Sequence, residues 1–325
     1  MKRIIDKFPQ ILIGFLLAIL LGACGADTTA APTETAFPTA TTVSFTTTPA
    51  PPTSTPPPTL TPAPSVTPTM DLTHMSGPYL GQAPPGLLPQ LFAPGFVSLT
   101  TSVDYTASFS PDGAEFYFTR RVGNNQNLYA SHLADGIWST PAPVDFSAGY
   151  NAHEPHVTLD NDTLYFGWFR PVPEGESTAM DYGIWAVDRA AGGWSEPRYV
   201  GQGMFVSSDL SGQLYITHQP TSSPAVSLVM LSAGRFTAYE RINSGAHPCI
   251  APDGSYLIYD RDGSEHLWVR FRLPDGTWGA AQELTWQGVP QSAHIASISP
   301  DGLYLFFTDG DDLYWVSTEI ISALK

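Results

Sequence analysis

Five times along this 325-residue chain a tight turn runs straight into an aromatic strand. The copies read "SFSPDGAEFYF" (108–118), "VTLDNDTLYF" (157–166), "SSDLSGQLYI" (207–216), "CIAPDGSYLIY" (249–259) and "SISPDGLYLFF" (297–307). Pro presets φ at the second turn position, Asp caps its own turn, and Gly takes the site that needs φ > 0. In the second copy Asn161 stands where the others have glycine, and Asn is the next best residue in a left-handed conformation. Successive copies lie roughly 40–50 residues apart, which is the period of a propeller blade.

Further strands follow each copy. Runs such as "NLYASHL" (127–133), "GIWAVDR" (183–189) and "DLYWVST" (312–318) are β-branched and aromatic with partial period-two alternation. Next comes an aromatic-headed strand in which Trp138, Trp194, Phe236 and Trp278 hold equivalent places, suited to filling the gap between blades. Pro141, Pro143 and Pro197 fall in these last strands, as befits an outer edge with no partner on one side. No long helical period occurs; only "STEIISALK" at the end suits a helical turn.

The expected fold is all-β: a single β-propeller of five four-stranded blades, at approximately 106–144, 154–200, 203–242, 246–285 and 292–318. A sixth blade would need a degenerate unit within 71–100, where no turn signature stands. The fifth copy stops after its third strand, which would leave an open edge. The apolar stretch "APGFVSLTT" (93–101) has no repeat of its own, so a strand at 95–101 is expected to complete the last blade and close the ring.

With three of five copies carrying Pro-Asp-Gly intact, the repeat resembles the TolB-type, WD40-like propeller repeat of exported bacterial proteins over roughly residues 95–318. The resemblance implies the fold strongly and the function weakly, because propellers host binding, scaffolding and several chemistries. TolB itself uses its propeller as a protein-binding platform. Prolyl-oligopeptidase relatives gate a hydrolase domain with theirs, and oligogalacturonate lyase relatives hold a metal and a sugar acid on the axis. The chain has no G-x-S-x-G nucleophile elbow, so the hydrolase role is not expected.

The front of the chain reads differently. Residues 1–23 carry Lys2, Arg3 and Lys7, then "ILIGFLLAILLGA", then Cys24, the pattern of a secretory signal. "LGAC" resembles a bacterial lipobox, which implies diacylation of Cys24. Residues 24–70 form a Thr/Pro-rich linker too poor in large apolar groups to offset its ordering entropy, and disorder is expected. Extended at about 3.1 Å per residue, it would hold the propeller (71–325) up to roughly 140 Å from a bilayer. The composition also permits O-glycosylation of this linker.

The net charge is −16. Loss of residues 1–23 removes three basic groups and one acidic group, leaving about −18, with Lys325 the only lysine. Such a balance argues against nucleic acid and against charge-driven binding to anionic lipid. With Cys24 lipidated, Cys249 stands alone and reads as a small buried hydrophobe.

In an up-and-down blade the start of the innermost strand and the loop between the second and third strands share one face, opposite the Pro-Asp-Gly turns. That gathers a candidate ligand-binding rim: Tyr105, His153, Glu154, His247 and His294 from strand starts, and Arg120, Arg121, Arg170, His218, Asp260, Arg261 and Asp309 from loops. Arginines with histidines near an axis would suit an anionic or sugar-like ligand. "HEPH" (153–156) lacks the helical zinc spacing, since on a strand positions three apart face opposite ways. A metal shared by His153, His247 and His294 is the one cofactor arrangement the sequence allows; otherwise none is expected. No catalytic residue is assigned.

The expectation is thus an exported, monomeric lipoprotein, anchored by lipid and facing the periplasm or cell surface, whose propeller binds an envelope protein or glycan. The alternative is a carbohydrate-active lyase or glycoside hydrolase using the His/Arg rim.

Overall fold

Every copy of the turn closes with the N–H of its left-handed residue donating to the carbonyl three positions back, and three copies add the same two side-chain bonds. In the first, Gly113 N–H donates to the Ser110 carbonyl (2.8 Å), Ala114 N–H donates to Asp112 Oδ1 (3.0 Å) and Glu115 N–H donates to Ser110 Oγ (2.9 Å). Thr158 with Asp160 and Ser299 with Asp301 repeat this arrangement in the second and fifth copies. Asn161 takes φ +64°, alongside +70° at Gly113 and +76° at Gly302. The second copy therefore folds as the same turn with a different residue at the left-handed site.

These turns join the two inner strands of each blade. The computed structural model describes residues 75–176, 182–219 and 223–325. Within them the protein is an all-β, five-bladed propeller of antiparallel sheets. The inner strands are Val103–Phe109, Ala152–Val157, Met204–Ser208, Ala246–Ile250 and His294–Ile298. The outermost strand is long only in the third blade, as Arg235–Ser244. In the first two blades it splits around Pro141 and Pro197, into Ile137–Trp138 with Ala142–Pro143 and Gly193–Trp194 with Arg198–Gly201. Proline cannot donate to a ladder, so it sits where the ladder ends. The chain closes with a helical turn, Glu319–Ser322. The segments expected to be a signal sequence, a lipobox with Cys24 and a linker to residue 70 lie outside the described residues.

The core lies between blades rather than within them. Five apolar clusters fill the five junctions. Trp194, Phe236 and Trp278 each join the preceding blade: Trp194 Nε1–H donates to the Tyr117 hydroxyl (2.8 Å), Phe236 joins the cluster containing Tyr165 and Trp278 the one containing Tyr215, while Trp138 sits in the seam cluster and donates to the Gly77 carbonyl. Cys249 is buried in the junction of the fourth and fifth blades, and burial pushes its thiol up.

An N-terminal strand does close the ring, but not the expected one. Gln90–Leu91 pairs antiparallel with Leu313–Ser317, Gln90 opposite Trp315 and Leu91 opposite Tyr314, and Phe92 N–H donates to the Leu313 carbonyl (2.8 Å). The stretch 95–101, expected as the strand, is a turn. Val97 N–H folds back onto the Ala93 carbonyl (2.8 Å), and Gly95, with φ +80°, sends its own N–H to the Ser98 carbonyl. Pro94 supplies no N–H for a ladder. Phe96 and Val97 are apolar because they are buried against the fifth and first blades, in one cluster with Phe92 and Trp315.

Candidate functional site

At the axis each inner strand makes the same detour. One residue per blade takes a left-handed backbone: Thr106 (φ +56°), Glu154 (+57°), Phe205 (+51°), His247 (+49°) and Ile295 (+52°). The pairing register slips at each of these points. Such a bulge re-aims a side chain, at a cost of order 1–3 kcal/mol for a residue with a Cβ. Bonds between neighbouring blades offset it. Glu154 N–H donates to Thr119 Oγ1 (2.8 Å), His247 N–H to Thr217 Oγ1 (2.7 Å) and Ile295 N–H to Asp260 Oδ1 (3.1 Å). Gly167 occupies the position equivalent to these acceptors in the second blade. A Cβ there would stand 2.6 Å from His153 Nε2, so the glycine makes room for the His153 ring.

The result is an alternating chain of imidazoles and carboxylates drawn from three blades. His153 Nδ1 lies 3.2 Å from Glu154 Oε2, and Glu154 Oε1 lies 3.5 Å from His247 Nε2. His247 Nδ1 is 2.7 Å from Asp260 Oδ2, which is 4.0 Å from His294 Nδ1; His294 Nε2 is 3.7 Å from Glu265. His153 and Glu154 are each 4% exposed. Burial alone would raise the Glu154 carboxyl, but His153 and His247 outweigh it and hold the group well below the usual carboxylate range. Burial would likewise lower His247, but Asp260 and Glu154 carry it up to about 10. The axial carboxylate and imidazole are therefore both charged at neutral pH. Burial, with the charge of Glu154, pushes the Tyr105 phenol well up.

Of the rim residues expected from the sequence, His153, Glu154, His247, Asp260 and His294 form this network, and Tyr105 stands close enough to feel Glu154. Three of the four arginines go elsewhere. Arg120 is buried on Asp104 (2.6 Å) and the Val97 carbonyl, between the rings of Phe118 and Tyr129. Arg170 lies over Trp168 and Trp185, and Arg261 over Trp268 at 4.2 Å. Arg121 is exposed near Tyr105. His218 stacks on Tyr239 at 3.9 Å, and burial lowers its pKa. Asp309 caps its own turn by accepting from Asp311 and Asp312 N–H. His153, His247 and His294 each face a carboxylate, and among the described residues no three His, Cys, Asp or Glu side chains group as a metal ion requires.

Sequence reasoning missed Thr106, Phe205 and Ile295, which hold the same bulge as Glu154 and His247. A signal for them exists. Each bulge residue stands four positions before the first turn residue: 106 before Ser110, 154 before Thr158, 205 before Asp209, 247 before Ala251 and 295 before Ser299.

No known family model matches the chain, and no curated protein matches it. Among solved structures it is similar in fold to several bacterial propellers. TolB from Acinetobacter baumannii is 16% identical, with a TM-score of 0.43, over 67% of this chain and 55% of that one. Oligogalacturonate lyase from Vibrio parahaemolyticus is 12% identical, with a TM-score of 0.35, over 67% and 66%. A gluconolactonase from Xanthomonas campestris is 13% identical, with a TM-score of 0.41, over 74% and 97%. The chain thus matches little more than half the length of the Acinetobacter TolB. Likeness at this level is one of fold.

Proposed function

We propose that this protein is an exported, lipid-anchored binding module whose propeller engages an envelope protein or glycan and performs no chemistry of its own. One observation carries this reading: the histidines and carboxylates on the axis face one another, at 2.7–4.0 Å. Glu154 is buried between two imidazoles, and Asp260 is held by His247 and by the Ile295 N–H. A glycosidase needs two carboxylates aimed at substrate with room between them, and a general base must reach the proton it takes. Of the arginines that would grip an anionic sugar, Arg170 and Arg261 lie instead on Trp168, Trp185 and Trp268, and Arg120 is buried on Asp104. The lipobox and the long Thr/Pro-rich linker support placement at the end of a tether on the periplasmic or outer side of a membrane.

The test uses the full-length chain, purified with its anchor. Capture of a specific envelope protein or glycan from detergent-solubilised envelopes and glycan arrays supports the reading. Turnover of a polysaccharide or glycoside substrate by the same preparation replaces it with the carbohydrate-active alternative. Cys24→Ala should move the protein from the membrane to the soluble fraction; a variant still firmly membrane-bound would remove the lipid anchor from the proposal.

A further inference from the structure

The face opposite the axial network is paved by the five turns, and several of them touch. Asn161 Nδ2–H donates to Asp112 Oδ2 (3.2 Å), linking the second turn to the first. Leu210 N–H donates to the Pro252 carbonyl (2.8 Å), linking the third to the fourth. A Cβ on Gly302 would meet the Pro252 ring at 3.9 Å, so the fifth turn packs on the fourth. Between the fifth turn and the first the paving opens. A cleft of about 370 Å³ lies at the seam where the ring closes, walled by Pro300 and Asp301 on one side and Pro111 and Asp112 on the other. Phe109 and Leu133 line it from the first blade, and the segment Gly77–Tyr79 forms a third wall.

That third wall is held in place. Tyr79 and Leu80 both take left-handed backbones (φ +51° and +56°), the Leu80 side chain is fully buried, and the Tyr79 hydroxyl donates to Asp301 Oδ2 (2.6 Å). The Tyr79 ring meets Phe109 edge-on at 5.1 Å. Two consecutive strained residues persist only where the surroundings over-determine them, so the apolar side of the cleft is formed before any ligand arrives.

Its rim is acidic, with both carboxylates hydrogen-bonded to neutral groups and Arg189 acting on Asp112 only from a distance. Asp112 and Asp301 each anchor one oxygen on their own turn's N–H groups, which fixes the carboxylates in place. Among the described residues neither forms an ion pair, and no basic residue lines the cleft. Apolar surface continues past the rim, with Ile137 and Leu303 exposed beside Ser76 and Asp301 respectively.

We propose that this seam cleft docks a short peptide segment of a partner protein in which an apolar side chain stands next to a lysine or arginine. The volume is at the lower end of the roughly 300–1,000 Å³ of ligand pockets, enough for one or two side chains. The apolar side chain meets Phe109, Leu133 and Tyr79, and the cation lies between the two aspartates. The chain's own linker is a poor occupant, because residues 24–73 contain no lysine, arginine or histidine. The proposal rests on the reading of the protein as a binding module, but assigns the contact to the turn face.

The test is fluorescence anisotropy on the full-length chain, with a labelled heptapeptide carrying two Leu-Arg pairs and its Leu-Glu counterpart. The Leu-Arg peptide should bind at least about tenfold more tightly, equivalent to about 1.4 kcal/mol, and more weakly as salt rises. Leu133→Glu and, separately, Asp112→Asn should each weaken it several-fold, while Met230→Glu on the third blade leaves it unchanged. Equal affinity for the two peptides, no binding of either, or binding unaltered in both cleft variants overturns the proposal. If envelope capture succeeds while the Leu-Arg peptide fails, the binding reading stands and the seam cleft is not its site.

Discussion

The two faces of this propeller handle charge in opposite ways. On the turn face, the same backbone bond closes the turn in every blade, and the side chains that support it are nearly interchangeable: Ser110, Thr158 and Ser299 act alike, and Asn161 substitutes for glycine. On the axial face the backbone repeats but the side chains do not. Thr106, Glu154, Phe205, His247 and Ile295 share one bulge and have no chemistry in common. Repetition builds the ring, and departure from repetition makes one face individual.

The sharpest way to break this contrast is at the axis. Glu154→Leu leaves the imidazolium of His247 buried beside a carboxylate on one side only, and should cost about 3–5 kcal/mol in urea denaturation. A loss under 1 kcal/mol would mean the axial network is ornamental. The pH profile sharpens the same point. Glu154 is depressed in the fold, so its share of stability is complete above its ordinary value near 4.5 and drains away as pH falls. His247 is raised, so its share is complete below pH 6.5 and is lost as pH rises through about 10. Urea midpoints should therefore form a plateau between these limits, and Glu154→Leu should flatten the acid limb.

On the turn face the effects should be smaller. Ser110→Ala removes the acceptor for Glu115 N–H and the donor to Asp112, for about 1 kcal/mol in thermal or urea unfolding. Smallest is Asn161→Gly, which relieves a left-handed Cβ but gives up bonds to Asp112 and Arg189. The two effects oppose, and the change should stay within about 1 kcal/mol. A larger penalty there would show that Asn161 acts as a staple between blades and not merely as a stand-in for glycine.

How much of this is legible in the sequence follows from the same contrast. The blades are legible because a Pro-Asp-Gly turn has few alternatives, and the Trp138, Trp194, Phe236 and Trp278 series is legible because a junction between twisted sheets needs a large ring in the same place. Gln90–Leu91 is not legible: two residues carry no periodicity, and one of them is polar. The apolar stretch 95–101 misleads because burial against the seam demands the same side chains as a strand would. The axial histidines and carboxylates can be gathered on one rim from strand order alone. That they would face one another, while Arg170 and Arg261 settled onto aromatic rings, depends on side-chain packing that spacing does not encode.

The clasp between Gln90–Leu91 and the fifth blade joins positions more than two hundred residues apart through a ladder of only two residue pairs. Anything that severs the chain between Leu91 and Val103 would turn that clasp from a covalent extension into a detachable plug. The bared edge of Leu313–Ser317 would then offer its unpaired N–H and C=O groups to the same segment of another copy. Cleaved or shortened forms of this protein should accordingly associate by exchanging that strand, and the untouched protein should not.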